Sequence, residues 1–302
     1  MACIEKQQIV QRVARMSASS SSSSTTTTNQ GSSWVSRLSI AEMKQILKNI
    51  PESKTCIERS DLESLVLSRF QSMEDYKQSM EDETTRLSSL RTKIHKVLSQ
   101  DRGVENFEHY VTSKEHQGRM KQLKKIAPEL YDNPSITPRS TWFQHPRYRQ
   151  NSQMPPFHVH FRHEMQQVLT YLYQAYSAKD ASNRKVNIRN ASSTFHGSMR
   201  GLQGHVSIEE YACFPTYKNL YPHVDIRFLY TDHRHLHNAE QNVSNSLTRL
   251  AEALGNGDSV DSSQIVETLE LFLTFDDLLI AHLGEEEEIV VPMSLTDKDL
   301  YF

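Results

Sequence analysis

Four segments in the second half of the chain repeat apolar residues at helical spacing over 20 residues or more. The first, about 157 to 178, carries Phe161, Met165, Val168, Leu169, Leu172 and Tyr173 on one stripe. The others cover about 191 to 221, 224 to 254 and 260 to 290. The first half is patterned in shorter pieces. Ser39 with Glu42 three residues later reads as a capping box, followed by Met43, Ile46, Leu47 and Ile50 until Pro51. Ser60 with Glu63, then Leu62, Leu65, Val66 and Phe70, repeats that grammar, with Ile57 available to tuck between the two helices. Met73, Tyr76, Met80, Leu87, Leu90, Ile94 and Val97 hold a heptad register broken by Glu83, which predicts one long helix, packed on its own chain or paired as a dimer through 73–97. A further helix is expected over about 104 to 128.

The predicted architecture is all-α: a four-helix bundle of up-down type behind a small N-terminal helical module. Residues 1–33 end in an almost pure Ser/Thr tract with no apolar surface to offset ordering, and read as a disordered tail. Residues 34–70 form the module and 71–131 a helical, coiled-coil-like connector. Pro134, Pro138, Pro146, Pro155 and Pro156 mark 132–155 as a linker, and 156–295 form the bundle.

Composition removes several classes of function. Lys and Arg number 34 against 37 Asp and Glu, a formal net charge of -3, which gives no support to phosphate-driven nucleic-acid binding. Nine glycines in 302 residues are few for hairpins or dinucleotide loops. Three scattered cysteines, Cys3, Cys56 and Cys213, build neither a disulfide framework nor a thiolate zinc site. No apolar stretch is long enough to span a bilayer, and the N-terminus has no signal-peptide apolar region. Arg12 and Arg15 ahead of the Ser/Thr tract bear a faint likeness to an organellar transit peptide that Glu5 weakens, so the expected location is intracellular, cytoplasmic or nuclear.

Histidine changes the picture most. Ten of the fourteen lie between His158 and His282, combined with carboxylates at helical spacing. His205 and Glu209, His233 and His237, and His282 and Glu286 are each four residues apart and therefore share a helix face, while His158 stands near the start of the first helix. Five imidazoles and two carboxylates are the donor set of a dinuclear metal site in a bundle core, because carboxylates can bridge two cations and imidazoles complete each sphere without adding charge. Nitrogen and oxygen donors without thiolate suit iron, with manganese or zinc as alternatives. The plainer readings stand beside this one. His196, His223 and His235 read as satisfied core or surface residues, and His95, His109, His116 and His145 as structural. Three of the four residues Glu285 to Glu288 read as a solvated acidic face.

The segments FHVHFRHEM, GHVSIEEYACFP, TDHRHLH and AHLGEEEEIVVP, in this order, resemble the four helices of the hemerythrin-like HHE cation-binding family over about 155 to 295. The resemblance implies two non-haem iron ions, His158 and His205 serving one, His233, His237 and His282 the other, with Glu209 and Glu286 bridging. His160 is the second candidate for the first position. An aspartate five residues after the last histidine marks the dioxygen carriers of the family; here Glu286 follows His282 after four, as in members that sense iron or oxygen. The run RLSIAEMKQILKNIPESKTCIERSDLESLV is similar to the SAP-like helix-extended-helix module, including the C-terminal form in the astrocyte-derived neurotrophic factor family, but it has the single Cys56 where that form has a CxxC. Residues 34–70 hold six basic and five acidic side chains, which favours protein docking over DNA.

These features imply a protein that binds dioxygen, or senses iron or oxygen, and meets a protein partner through residues 34–130. The alternatives are a di-iron enzyme acting on peroxide or nitric oxide, with Tyr171, Tyr173 and Tyr211 as redox candidates, and an interaction or DNA-associated scaffold working through the SAP-like module.

Overall fold

The computed structural model describes residues 34–47, 58–103, 114–136, 139–148, 154–257 and 259–296, all helical or connecting, with no strand among them. The chain divides between Lys93 and Ile94 into two compact units.

In the first unit a 3-10 turn, Val35–Arg37, leads to α1 (Ile40–Ile46) and α2 (Arg59–Arg69), followed by α3 (Met73–Leu98), which runs across the division. The Ser39 box forms as its sequence dictates: the Ser39 hydroxyl accepts from the Glu42 N–H at 3.3 Å, and the Glu42 carboxylate accepts from the Ser39 N–H at 2.8 Å. The second box is displaced by two residues. Glu58 and Asp61 cap α2, whereas Ser60 and Glu63 lie inside it and Glu63 accepts from Arg59 at 2.6 Å instead. Arg59 has a further task, donating to the Ser36 and Leu38 carbonyls and so fixing α2 against the preceding turn. Trp34, Leu38, Met43, Leu47, Leu62, Val66, Tyr76 and Met80 are buried together. The heptad stripe of α3 thus begins by closing the core of its own unit. Ile57, Cys56 and residues 104–113 of the expected fourth helix lie outside the described residues.

The second unit holds α4 (Lys114–Ile126), α5 (Pro128–Tyr131), a 3-10 segment (Arg139–Gln144), α6 (Met154–Ser177), α7 (Ala181–Ile208), a π turn (Glu209–Cys213), α8 (Phe214–Leu220), α9 (Arg227–Gly255) and α10 (Ser262–Thr296). α6 packs on α7 and α10, and α9 packs on α7 and α10, so the four long helices close a ring with neighbours running antiparallel. Asp180 caps α7 by accepting from the Asn183 N–H at 2.8 Å.

α10 is the pivot of this unit. From Leu279 to Leu295 only Ala281 is exposed, because the bundle covers one side and α4, α5 and the 3-10 segment cover the rest. Of the proline-rich stretch expected as a linker, the described residues are built into the fold: Ile136, Trp142 and Tyr148 are buried against Val291 and Leu295, and Arg147 donates to the Thr296 carbonyl at 2.7 Å. The expected second bundle helix is also interrupted. Pro215 has no N–H to give to the Tyr211 carbonyl, and the five residues from Glu209 widen into a π turn before α8 resumes.

Candidate metal centre

Each of the four bundle helices delivers a histidine to one buried point, and two of them add a carboxylate. His158 comes from the first turn and a half of α6, His205 from the last turn of α7, His233 from α9 and His282 from α10. Glu209 opens the π turn one helical turn beyond His205, and Glu286 follows His282 at the same spacing.

The histidines meet in pairs. The Nε2 atoms of His158 and His205 are 3.0 Å apart, and those of His233 and His282 are 3.1 Å apart. Both glutamates span the two pairs. Glu209 turns Oε1 to His205 at 2.6 Å and Oε2 to His233 at 3.5 Å, while Oε2 of Glu286 is 3.5 Å from both His158 and His282. His158, His205, Glu209 and Glu286 form one group of donor atoms, and His233, His282 and Glu286 a second, within 4.8 Å in each case.

Both oxygens of Glu286 are buried without a hydrogen-bond partner, and those of Glu209 face only the rings of His205 and His233. Buried carboxylate oxygens normally have partners, and leaving both unmet in one place is costly. Two ring nitrogens about 3.0 Å apart fit two donors bound to one ion at about 2.1 Å each. The chemistry and spacing of these six residues therefore suit a pair of cations.

Charge in the cluster follows from burial and neighbours. Burial opposes ionisation of Glu209, but the rings of His205 and His233 outweigh it and hold the carboxyl below its ordinary range. Burial, then the charge of Glu209, drives Glu286 well above that range. Burial lowers His158, and burial with the neighbouring His233 lowers His282 strongly, leaving both rings neutral and ready to donate electron pairs. Burial opposes charge on His233 as well, but Glu209 and Glu210 raise it. Burial followed by the charges of Glu209 and Glu286 pushes Cys213 up to about 12, which keeps this thiol protonated beside the centre.

A second ring of residues orients the donors. The Nδ1 atom of His158 is 2.9 Å from Glu287, which also accepts from Arg162 at 2.9 Å and pairs with Arg139. The Nδ1 atom of His233 is 2.9 Å from Glu210. On the far side of α10, His116 bridges Glu285 and Glu288 at 3.1 and 2.8 Å, and Arg119 pairs with Glu285. The acidic run is not a solvated face: Glu286 and Glu287 are fully buried, and Glu285 and Glu288 are largely covered. No local pattern could reveal this, since their partners lie more than a hundred residues away.

His237 does not join the cluster. Its side chain is 56% exposed, 3.3 Å from Glu240 and 2.9 Å from Gln241, because on α9 it falls beside the buried stripe of Leu229, His233, Leu236 and Val243. His160 is likewise outside, 61% exposed and paired with Glu164. His196 bonds to Ser244, His223 faces Glu129, and Tyr211 is 84% exposed.

Residues 155–294 match the family model described as Hemerythrin HHE cation binding domain. No curated protein and no solved structure matches the chain.

Proposed function

We propose, on the premise that residues 155–294 are a hemerythrin HHE cation-binding domain, that this protein holds two iron ions and acts as an iron- and dioxygen-responsive component. The observation that carries this reading is the sharing of Glu286 between two buried donor groups whose carboxylate oxygens have no other partner. His158 and His205 would hold one ion and His233 and His282 the other, with Glu209 and Glu286 between them. Iron in such a set supplies Lewis-acid and redox chemistry toward dioxygen or a related small molecule.

The chain's own residues do the rest. Glu287 and Glu210 fix the ring orientation of His158 and His233, so that each Nε2 faces the centre. A cleft of about 470 Å³ between α7 and α9, lined by Gln203, Val206, Glu210, His233 and Leu236 among others, gives a small molecule a way toward His233. Of residues 34–130, the described ones from 114 on are taken up by α10, so a protein partner would dock on the first unit, with the SAP-like module at 34–70 as its head. A dimer through 73–97 has less in its favour, because Tyr76 and Met80 already close the core of the first unit. No described helix is long and apolar enough to cross a membrane.

Iron content by mass spectrometry, paired with thermal unfolding of iron-loaded and chelated protein, tests the reading. About two irons per chain and a higher unfolding temperature on loading are expected, since a ligand that binds only the folded state stabilises it. Loading that leaves stability and protease resistance unchanged would remove sensing, and a chain that takes up no iron would remove the metal centre itself.

A further inference from the structure

The matched domain begins at residue 155, yet the residue that anchors the orienting carboxylate of His158 lies before it. Glu287 is fully buried and holds three donors: His158 and Arg162 on Oε1, and Arg139 on Oε2. Arg139 is itself 6% exposed, and it opens the 3-10 segment whose Trp142 is buried against Val291 and Leu295 of α10. The Trp142 indole N–H donates to the Ile136 carbonyl at 2.6 Å, which ties the 3-10 segment to the residue three positions ahead of it.

We infer that Arg139 is a positioning residue of the metal centre, acting through Glu287 on His158, and that metal loading and docking of residues 139–148 onto α10 stabilise one another. The inference rests on the metal-centre reading above. With Arg139 and Arg162 on opposite oxygens, the Glu287 carboxylate has one orientation, and the Nδ1–H of His158 has one acceptor. That hydrogen bond leaves the Nε2 electron pair directed at His205 and Glu286. Loss of Arg139 frees one oxygen of a buried carboxylate, which can then turn away from His158. Linkage runs in both directions: whatever docking contributes to metal affinity, metal must return to docking.

The test uses the full chain, Arg139→Gln and Arg139→Lys, titrated anaerobically with ferrous iron, together with amide hydrogen exchange of wild type with and without the metal. Loading should slow exchange in residues 139–148 of wild type. Arg139→Gln should keep the helical content of wild type but bind iron about tenfold more weakly or worse, with Arg139→Lys recovering part of the loss. Wild-type exchange in 139–148 that ignores loading, or Arg139→Gln binding with unchanged affinity, overturns the inference while leaving the metal centre intact. The wild-type exchange arm decides the linkage even where a variant fails to fold. A wild type that takes up no iron overturns both readings.

Discussion

The Nε2 atoms of His233 and His282 stand 3.1 Å apart on two neighbouring helices, both rings buried. Only one of two such nitrogens can carry a proton for the other, and burial already keeps His282 neutral. His233, His282 and Glu286 would hold a cation there, each as a donor. His282→Ala should therefore take iron content from about two per chain to about one, with His205→Ala doing the same for the other group. Glu286→Ala, which removes the donor common to both groups, should lower both occupancies. Metal analysis of the three purified variants checks this, and retention of full iron in His282→Ala would refute the pairing.

His237 offers the opposite case. It has the same spacing from His233 that His205 has from Glu209, but its side chain faces solvent and Glu240. His237→Ala should keep the iron stoichiometry of wild type, where His233→Ala loses it. Equal losses in the two variants would mean that α9 turns on loading to bring His237 inward.

How much of this was legible in the sequence depended on how local each interaction is. His205 with Glu209 and His282 with Glu286 are read from spacing because a helix places residues four apart on one face. The same rule fails to decide His237, since four residues advance about 40° beyond a full turn, enough at the edge of a stripe to carry a side chain from core to solvent. The π turn at Glu209–Cys213 was not legible, although Pro215 marks where regular bonding must fail. Glu287 was hidden for a different reason. A run of four glutamates ordinarily belongs in water, and only the arrival of Arg139 and Arg162 from distant segments makes its burial tolerable.

Arg102 and Asp276 form another remote pair, 2.7 Å apart and both buried, which fastens the segment after α3 to the middle of α10. Burial raises the Asp276 carboxyl even with Arg102 beside it. Arg102→Met strips the partner from a buried acid and should destabilise the second unit by about 3–5 kcal/mol, whereas Arg102→Met with Asp276→Leu should recover most of that loss. Urea unfolding of the single and double variants decides it. A double variant as unstable as the single one would show that the pair matters for more than charge compensation.

His116 makes the fold itself dependent on pH. Burial opposes its charge, but hydrogen bonds to Glu285 and Glu288, and then their negative charge, raise it from an ordinary 6.5 to about 9. A histidine raised in the folded state contributes stability that is complete below about 6.5, where both folded and unfolded chains bind the proton. Between about 6.5 and 9 the unfolded chain releases the proton first, and the contribution fades until the folded ring also loses it. The full shift would correspond to about 3 kcal/mol, and the partial exposure of Glu285 and Glu288 to solvent lowers the expectation to about 1–2 kcal/mol. Iron-free wild type should therefore exceed His116→Gln in stability at pH 6 by about that amount, and the gap should close by pH 9.5. Urea midpoints of the two proteins across this range measure the gap directly. A difference that stays constant with pH would mean that His116 holds α4 on α10 by packing alone and that its charge contributes nothing.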